Sequence, residues 1–246
     1  MSETEPIKIE FYTSVKGLVN TPELHPKPTK NFIPDWFRHI PSQKSLNDPN
    51  TVYNETQTVK VCPSFPDYFS QGYTIPMWAD TTLIYNKDTD RWTYRCGLKG
   101  SPYKIEVHGH PQFLDYAPAN FLGKKSDFIF KFISPWELKT PKGYSVLQLP
   151  MFYHFDDNFS VLPGIIDTDI HHEINQQVVY HGNGLEIFIK KGTPLVQYIP
   201  FKRDKYELLV KEMDKTYLIN REKTILNYQS TFEGAYRELQ RKRDSE

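Results

Sequence analysis

The chain has 246 residues, with 30 Lys and Arg balancing 30 Asp and Glu, a mean hydropathy of −0.60 and an aromatic content of 15%. That balance gives no net charge to draw the protein toward nucleic acid or an acidic membrane. No apolar run approaches the ~20 residues that span a bilayer, and the acidic start, MSETEPIKIEF, is not that of a signal peptide. The length supports a sizeable core in one domain or two. Prolines number 19 against 12 glycines, with 16 Tyr and 16 Phe, a composition suited to many short strands joined by tight loops. Two cysteines, Cys62 and Cys96, make no disulfide framework and lack metal-site spacing, so both are expected to be small buried hydrophobes in a reducing compartment.

Ile7 to Tyr12 alternates like a first strand. Residues 17–50 are proline-rich and carry Phe32, Ile33, Trp36 and Phe37, too apolar for a solvated linker, so this arm is expected to pin its aromatics to the main body. Pro34 favours a short helical turn over Asp35 to His39. Val59 to Cys62 reads as a strand and Pro63 to Ser70 as a loop or short helix. Gly72 to Tyr85 and Trp92 to Cys96 form strands parted by the hairpin signal Asn86-Lys87-Asp88-Thr89-Asp90. Lys104–Val107, Phe128–Ile133, Ser145–Leu149, Glu173–Tyr180, Leu185–Ile189 and Leu195–Phe201 bring the set to about ten, as in a sandwich or barrel-like sheet pair. Gly143, Gly164 and Gly192 are expected at turns that need positive φ or close backbone approach, and Pro150, Pro163, Pro194 and Pro200 at strand ends. After Lys202 the apolar residues Leu209, Met213 and Tyr217, then Phe232, Tyr236 and Leu239, take helical spacing. One or two helices are expected, the second near Glu222 to Lys242, burying an apolar face on the sheet. The resulting division is 1–57 for the strand and arm, 58–202 for the β domain and 203–246 for the helical segment.

Two resemblances meet between Trp136 and Arg203. Pro135-Trp136-Glu137-Leu138-Lys139-Thr140-Pro141-Lys142-Gly143-Tyr144-Ser145, then Gly164 to Asp169 (Gly-Ile-Ile-Asp-Thr-Asp), then Gly192 to Arg203 resemble elements of an uncharacterised family common in tailed bacteriophages. That implies a phage origin, a place in the host cytoplasm or the virion, and other phage or host proteins as partners. More distantly, Gly164 to Asp167 followed by Ile189 to Gln197 resembles the core of the dUTPase and dCTP-deaminase superfamily. This second resemblance implies a mainly β, dUTPase-like (β-clip type) antiparallel sheet assembly, with its core at 135–202, that forms a trimer. It places Asp167 as the catalytic aspartate that orients water and contacts the sugar, Ile170 where a sugar-stacking tyrosine is usual, and Gln197 at a retained glutamine. Gly164 belongs to the same ligand-binding turn. The usual Pro-Arg-Ser phosphate motif falls on Pro150-Met151-Phe152-Tyr153, and Gly-Asp-Arg on Gly192-Thr193-Pro194, so the phosphate-holding guanidinium and hydroxyl are missing. The glycine-rich closing arm of that superfamily has no counterpart either.

Histidines supply a third chemistry. His108-Gly109-His110 puts two imidazoles on one face of a strand, as in cupin-like metalloproteins, and Asp115 and His171 complete a set for Fe²⁺, Mn²⁺ or Zn²⁺. No phosphate loop, dinucleotide fingerprint, nucleophile elbow or Cys-x-x-Cys is present. Three functions therefore stand: a phage-encoded non-catalytic binding or structural protein on a degenerate dUTPase-like scaffold; a divergent nucleotide-binding or pyrophosphate-hydrolysing enzyme using Asp167, with Gln197 and Lys202-Arg203 near the phosphates; and a divalent-metal enzyme using His108 and His110. The first requires that no cluster of basic side chains stand beside the 164–167 bend.

Overall fold

The computed structural model describes residues 6–45, 55–89, 91–98, 104–108, 129–156, 158–180, 184–230 and 241–242. Strands β1 (Glu10–Tyr12) and β2 (Lys27–Pro28) precede helix α1 (Asp35–His39), β3 (Gln43–Ser45) and β4 (Glu55–Gln57). Helix α2 (Ser64–Ser70) leads into β5 (Tyr73–Pro76), β6 (Thr81–Asn86), β7 (Arg91–Cys96) and β8 (Ile105–His108). Next come β9 (Ile129–Lys139), β10 (Tyr144–Pro150), β11 (Phe159–Val161) and β12 (Gly164–Ile166). The last elements are β13 (Glu173–Tyr180), β14 (Glu186–Ile189), β15 (Pro194–Lys202) and helix α3 (Lys215–Ser230). The architecture is mainly β, and its strand pairs are antiparallel. The chain divides into two compact units, Met1–Arg38 with Phe69–Arg203 and His39–Tyr68 with Asp204–Glu246.

Among the described residues the first unit holds three sheets. One runs β1-β9-β13-β11 with β8 also on β9, a second runs β12-β10-β15-β5-β2, and a third runs β14-β6-β7. Alternation in β13 turns Ile174, Gln176 and Val178 inward, while β15, flanked by β10 and β5, buries Leu195 to Tyr198 without a break. Phe130, Phe132, Leu138, Val146, Ile75, Met77, Trp78, Leu83 and Ile187 join these side chains in one core. Within it Tyr198 donates its hydroxyl to Gln148 Oε1 (2.9 Å) and accepts from Gln176 Nε2 (2.8 Å). A polar ladder thus crosses an otherwise apolar layer.

β9 continues six residues past the strand expected to end at Ile133, although it contains Pro135. Pro135 lies between the stretch of β9 paired with β8 (Ile129–Phe132) and the stretch paired with β1 (Glu137–Lys139), and its missing N–H therefore breaks no bond to either. Ser134 Oγ accepts the Trp136 N–H at 3.0 Å across the resulting bulge. Pro200 likewise sits inside β15, past Tyr198 where pairing with β5 stops, and not at the strand end expected of it. Gly143 and Gly192 have φ of 86° and 85° as expected, whereas Gly164 is an ordinary strand residue with open space at its Cβ.

The described part of the proline-rich arm, residues 17–45, pins aromatic side chains as expected. Trp36 Nε1 donates to the Tyr153 carbonyl at 2.7 Å, and Phe37 packs on Phe69 with ring centroids 5.0 Å apart. In the second unit β3 and β4 form a two-stranded ribbon. Val59–Val61 is a 3₁₀ turn and not a strand, because Thr58 Oγ1 caps it by accepting the Lys60 N–H at 3.2 Å and Pro63 follows. Cys62 is exposed, beside Ser64 Oγ at 3.0 Å, which corrects the expected buried thiol. Residues 203–214 are not helical; Asp214 Oδ1 accepts the Tyr217 N–H at 2.7 Å and starts the helix at Lys215. Every described side chain from 202 to 226 is exposed, against the expected buried face. Tyr217, Leu218 and Ile219 follow one another around the helix and so define no single stripe.

Gly72, with φ of 62°, sets the approach of the α2–β5 loop to β15. A Cβ there would lie 2.1 Å from the Tyr198 carbonyl oxygen. Gly72→Ala is expected to destabilise the first unit by about 2 kcal/mol or more. In thermal unfolding followed by near-UV circular dichroism, that is a fall in Tm of roughly 4–8 °C; an unchanged Tm would show that this approach is not tight.

Candidate functional site

The three quoted sequence elements converge at one node. The first reaches it through β9, the 140–144 turn and β10, the second through β12 and the bend after it, and the third through the end of β15. The bend closes on itself, because the Asp167 carbonyl accepts the N–H groups of Ile170 (3.1 Å) and His171 (2.9 Å). Thr168 is fully buried and its hydroxyl meets that of Thr140 at 2.8 Å, while the Thr140 N–H donates to the Thr168 carbonyl at 3.2 Å. Thr140 Oγ1 also donates to the Tyr144 carbonyl at 3.0 Å, which fastens the 140–144 turn to the bend.

Arg203 completes the node. β15 pairs Lys202 with Tyr144, and the Arg203 N–H then donates to the Gly143 carbonyl at 2.8 Å. The guanidinium forks onto Asp169, with Nη1 to Oδ1 at 2.9 Å and Nη2 to Oδ2 at 2.5 Å. Nη1 also lies 3.0 Å from Asp167 Oδ1 and donates to Ser145 Oγ at 2.8 Å. Ser145 Oγ donates in turn to Asp167 Oδ1 at 2.6 Å. Asp169 Oδ2 takes a further bond from the Gly143 N–H at 2.8 Å. The Asp169 side chain is only 3% exposed, against 36% for Arg203 and 50% for Asp167. Hydrogen bonding from Arg203, then from the Gly143 amide, holds the Asp169 carboxyl well down, to about 2, and the bond to Asp169 in turn raises Arg203.

One arginine therefore stands beside the 164–167 bend, and both acids of the bend engage it. Its guanidinium faces two carboxylates, so these three groups together are net negative. Asp167 has one oxygen engaged by Ser145 and Arg203; Oδ2 has no partner among the described residues. Ile170 is at the apex of the bend, 78% exposed, and Gly164 opens β12 opposite Gln148. Gln197 does not join them. It is fully buried, donates from Nε2 to the Gln71 carbonyl at 2.9 Å, and pairs with Leu149, four residues and roughly 13 Å along β10 from Ser145. Asp169, Ser145 and Thr168 are the members that sequence reasoning passed over. The repeated Asp of Gly-Ile-Ile-Asp-Thr-Asp was the available signal for the first.

The histidine set is not assembled. His110 and Asp115 lie outside the described residues. His108 ends β8 opposite Ile129, whereas His171 lies next to His172, whose carbonyl accepts the Leu138 N–H. The positions on β13 opposite Ile129 and Glu137 are Val179 and Glu173, which puts the two histidines roughly 20 Å apart, against metal–nitrogen bonds of about 2 Å. Among the described residues no group of three or more His, Cys, Asp or Glu is placed to hold a metal ion.

Asp169 makes the node sensitive to acid. Its folded pKa lies below the ordinary 3.8, so its stabilisation is complete above that value and is lost as pH falls toward about 2. Asp169→Asn is expected to lower the denaturation midpoint at neutral pH and to flatten its decline between about pH 4 and pH 2. Urea titrations at several pH values check this; parallel curves for the two proteins would contradict it.

No family model and no curated protein matches the chain. Among solved structures it is similar to the dUTPase of Staphylococcus bacteriophage 80alpha with dUPNHPP, at 10% identity over 85% of this chain and 90% of that one, with a TM-score of 0.35. It is also similar to the dUTPase of phage phi11 of S. aureus, at 8% identity over 85% of this chain and 99% of that one, with a TM-score of 0.33.

Proposed function

We propose that this is a phage-encoded, non-catalytic binding or structural protein on a degenerate dUTPase-like scaffold, in which the 164–169 bend works as a structural lock. The observation that carries the reading is the guanidinium of Arg203 committed to Asp169 and Asp167. Phosphoanhydride hydrolysis needs cations or amides aimed at the transferring phosphate and a carboxylate placed to orient water. Here the single arginine is consumed by two acids, and the net negative node repels a triphosphate. The residues at the phosphate-motif position, Pro150 to Tyr153, lie at the far end of β10 from Ser145 and bring no cation.

Two measurements on one preparation test this proposal. With dUTP or dCTP and Mg²⁺ the protein is expected to show no thermal shift and no pyrophosphate release. A saturable shift with either nucleotide, lost in Asp167→Ala, would overturn the proposal in favour of a divergent nucleotide enzyme.

A further inference from the structure

A cleft of about 310 Å³ opens where the end of β10, the 152–154 turn, β11 and the start of β15 meet. Its lining includes the well-buried Phe159, Val161 and Leu195. At its edge stand the rings of Phe152 and Phe155, which are 57% and 65% exposed. Two large apolar rings left in water beside a cleft are costly unless something covers them.

Backbone geometry presents the second ring. Phe155 has φ of 50° and ψ of 45°, the left-handed region that a bulky side chain rarely occupies. Neighbours hold it there: its ring is 5.6 Å from Trp36 and 6.4 Å from Tyr153, and Trp36 is itself bonded to the Tyr153 carbonyl. Among the described lining residues Asp156 is the sole Asp, Glu, Lys or Arg, and its Oδ1 accepts the N–H groups of Asn158 (2.8 Å) and Phe159 (3.4 Å), which fixes the carboxylate. Oδ2 has no partner among the described residues. His154, the other titratable lining group, donates from Nε2 to the Phe32 carbonyl at 2.8 Å, and burial lowers its pKa toward the neutral form.

Aromatic faces, an apolar floor and one oriented carboxylate form a receptor for a planar cation on an apolar stem. A guanidinium stacks on aromatic rings and forks onto a carboxylate in a way that an ammonium does not. We propose that this cleft binds an arginine side chain of a partner polypeptide, with the guanidinium against Phe152 and Phe155 and paired with Asp156. The proposal names the chemistry of the partner that the binding-protein reading calls for. It rests on a different site, because Pro150 is five residues and roughly 17 Å along β10 from Ser145. A nucleotide result at Asp167 therefore leaves this proposal standing, and the converse also holds.

The test is a ¹H–¹⁵N NMR titration of the full chain with the blocked tripeptide acetyl-Gly-Arg-Gly-amide, its lysine counterpart and its neutral citrulline counterpart. The arginine peptide should perturb residues 151–161 saturably. Binding should weaken roughly tenfold in Asp156→Asn, the size of one desolvated cation contact. That variant keeps an Oδ1 to accept from Asn158 and Phe159, so the turn survives. Phe155→Asn, a residue that tolerates positive φ, should weaken binding similarly while leaving other resonances in place. Equal binding of the citrulline peptide, or an unaffected Asp156→Asn, would show an apolar cleft with no cation preference. Lysine binding as tightly as arginine would remove the guanidinium assignment, and a well-folded spectrum with no saturable change would overturn the proposal altogether.

Discussion

The two-pronged bond between Arg203 and Asp169 is the constraint around which the rest of the first unit is arranged. Asp169 is nearly inaccessible, and a carboxylate so placed is tolerated only when its charge and lone pairs are met. Arg203 and the Gly143 amide meet them, and each depends on chain geometry set elsewhere. The Gly143 amide is available because Gly143 takes a positive φ at the turn into β10. Arg203 arrives because β15 runs in register with β10 to its last residue. One ion pair thus ties the ends of β10 and β15 to the bend between β12 and β13, and links the two larger sheets.

That arrangement carries a chemical consequence. A carboxylate whose Oδ1 engages an arginine and a serine hydroxyl is held in one orientation, with its charge already offset by the guanidinium. Conversely, a guanidinium satisfied by two acids has no charge to spare for an anionic ligand. At the other end of β10 the exposed rings of Phe152 and Phe155 stand beside Asp156. The fold therefore separates a polar network from an aromatic surface at opposite ends of β10.

Much of the β framework was readable from local pattern. Glu173–Tyr180 alternates because one face of β13 is buried, and its bounds coincide with the strand. The Asn86 turn was equally plain, since the Asn86 side chain accepts from Asp88 and Thr89 as an Asx turn does. What failed depended on context beyond the local run. Pro135 truncates β9 by rule, yet it falls in a gap between two edge partners. Thr58 converts an alternating Val-Lys-Val into a capped 3₁₀ turn. Helical spacing at Leu209 and Met213 implied a helix, but Asp214 offers a cap that begins it later. At the candidate site, Asp167 and the adjoining turn were visible, and so was Arg203. The partnership that defines them was not, because it spans 34 residues and rests on the strand register. Nothing in the sequence marks Phe155 as left-handed; only its aromatic neighbours do.

A double-mutant cycle between Arg203 and Asp169 bears most directly on the lock. Arg203→Met, Asp169→Asn and the combined variant would be compared with the parent chain by chemical denaturation at neutral pH. Interlocked partners predict that the combined variant is scarcely less stable than either single one, since the second substitution removes a group the first has already stranded. Strictly additive losses would contradict this and leave Arg203 free to serve a ligand.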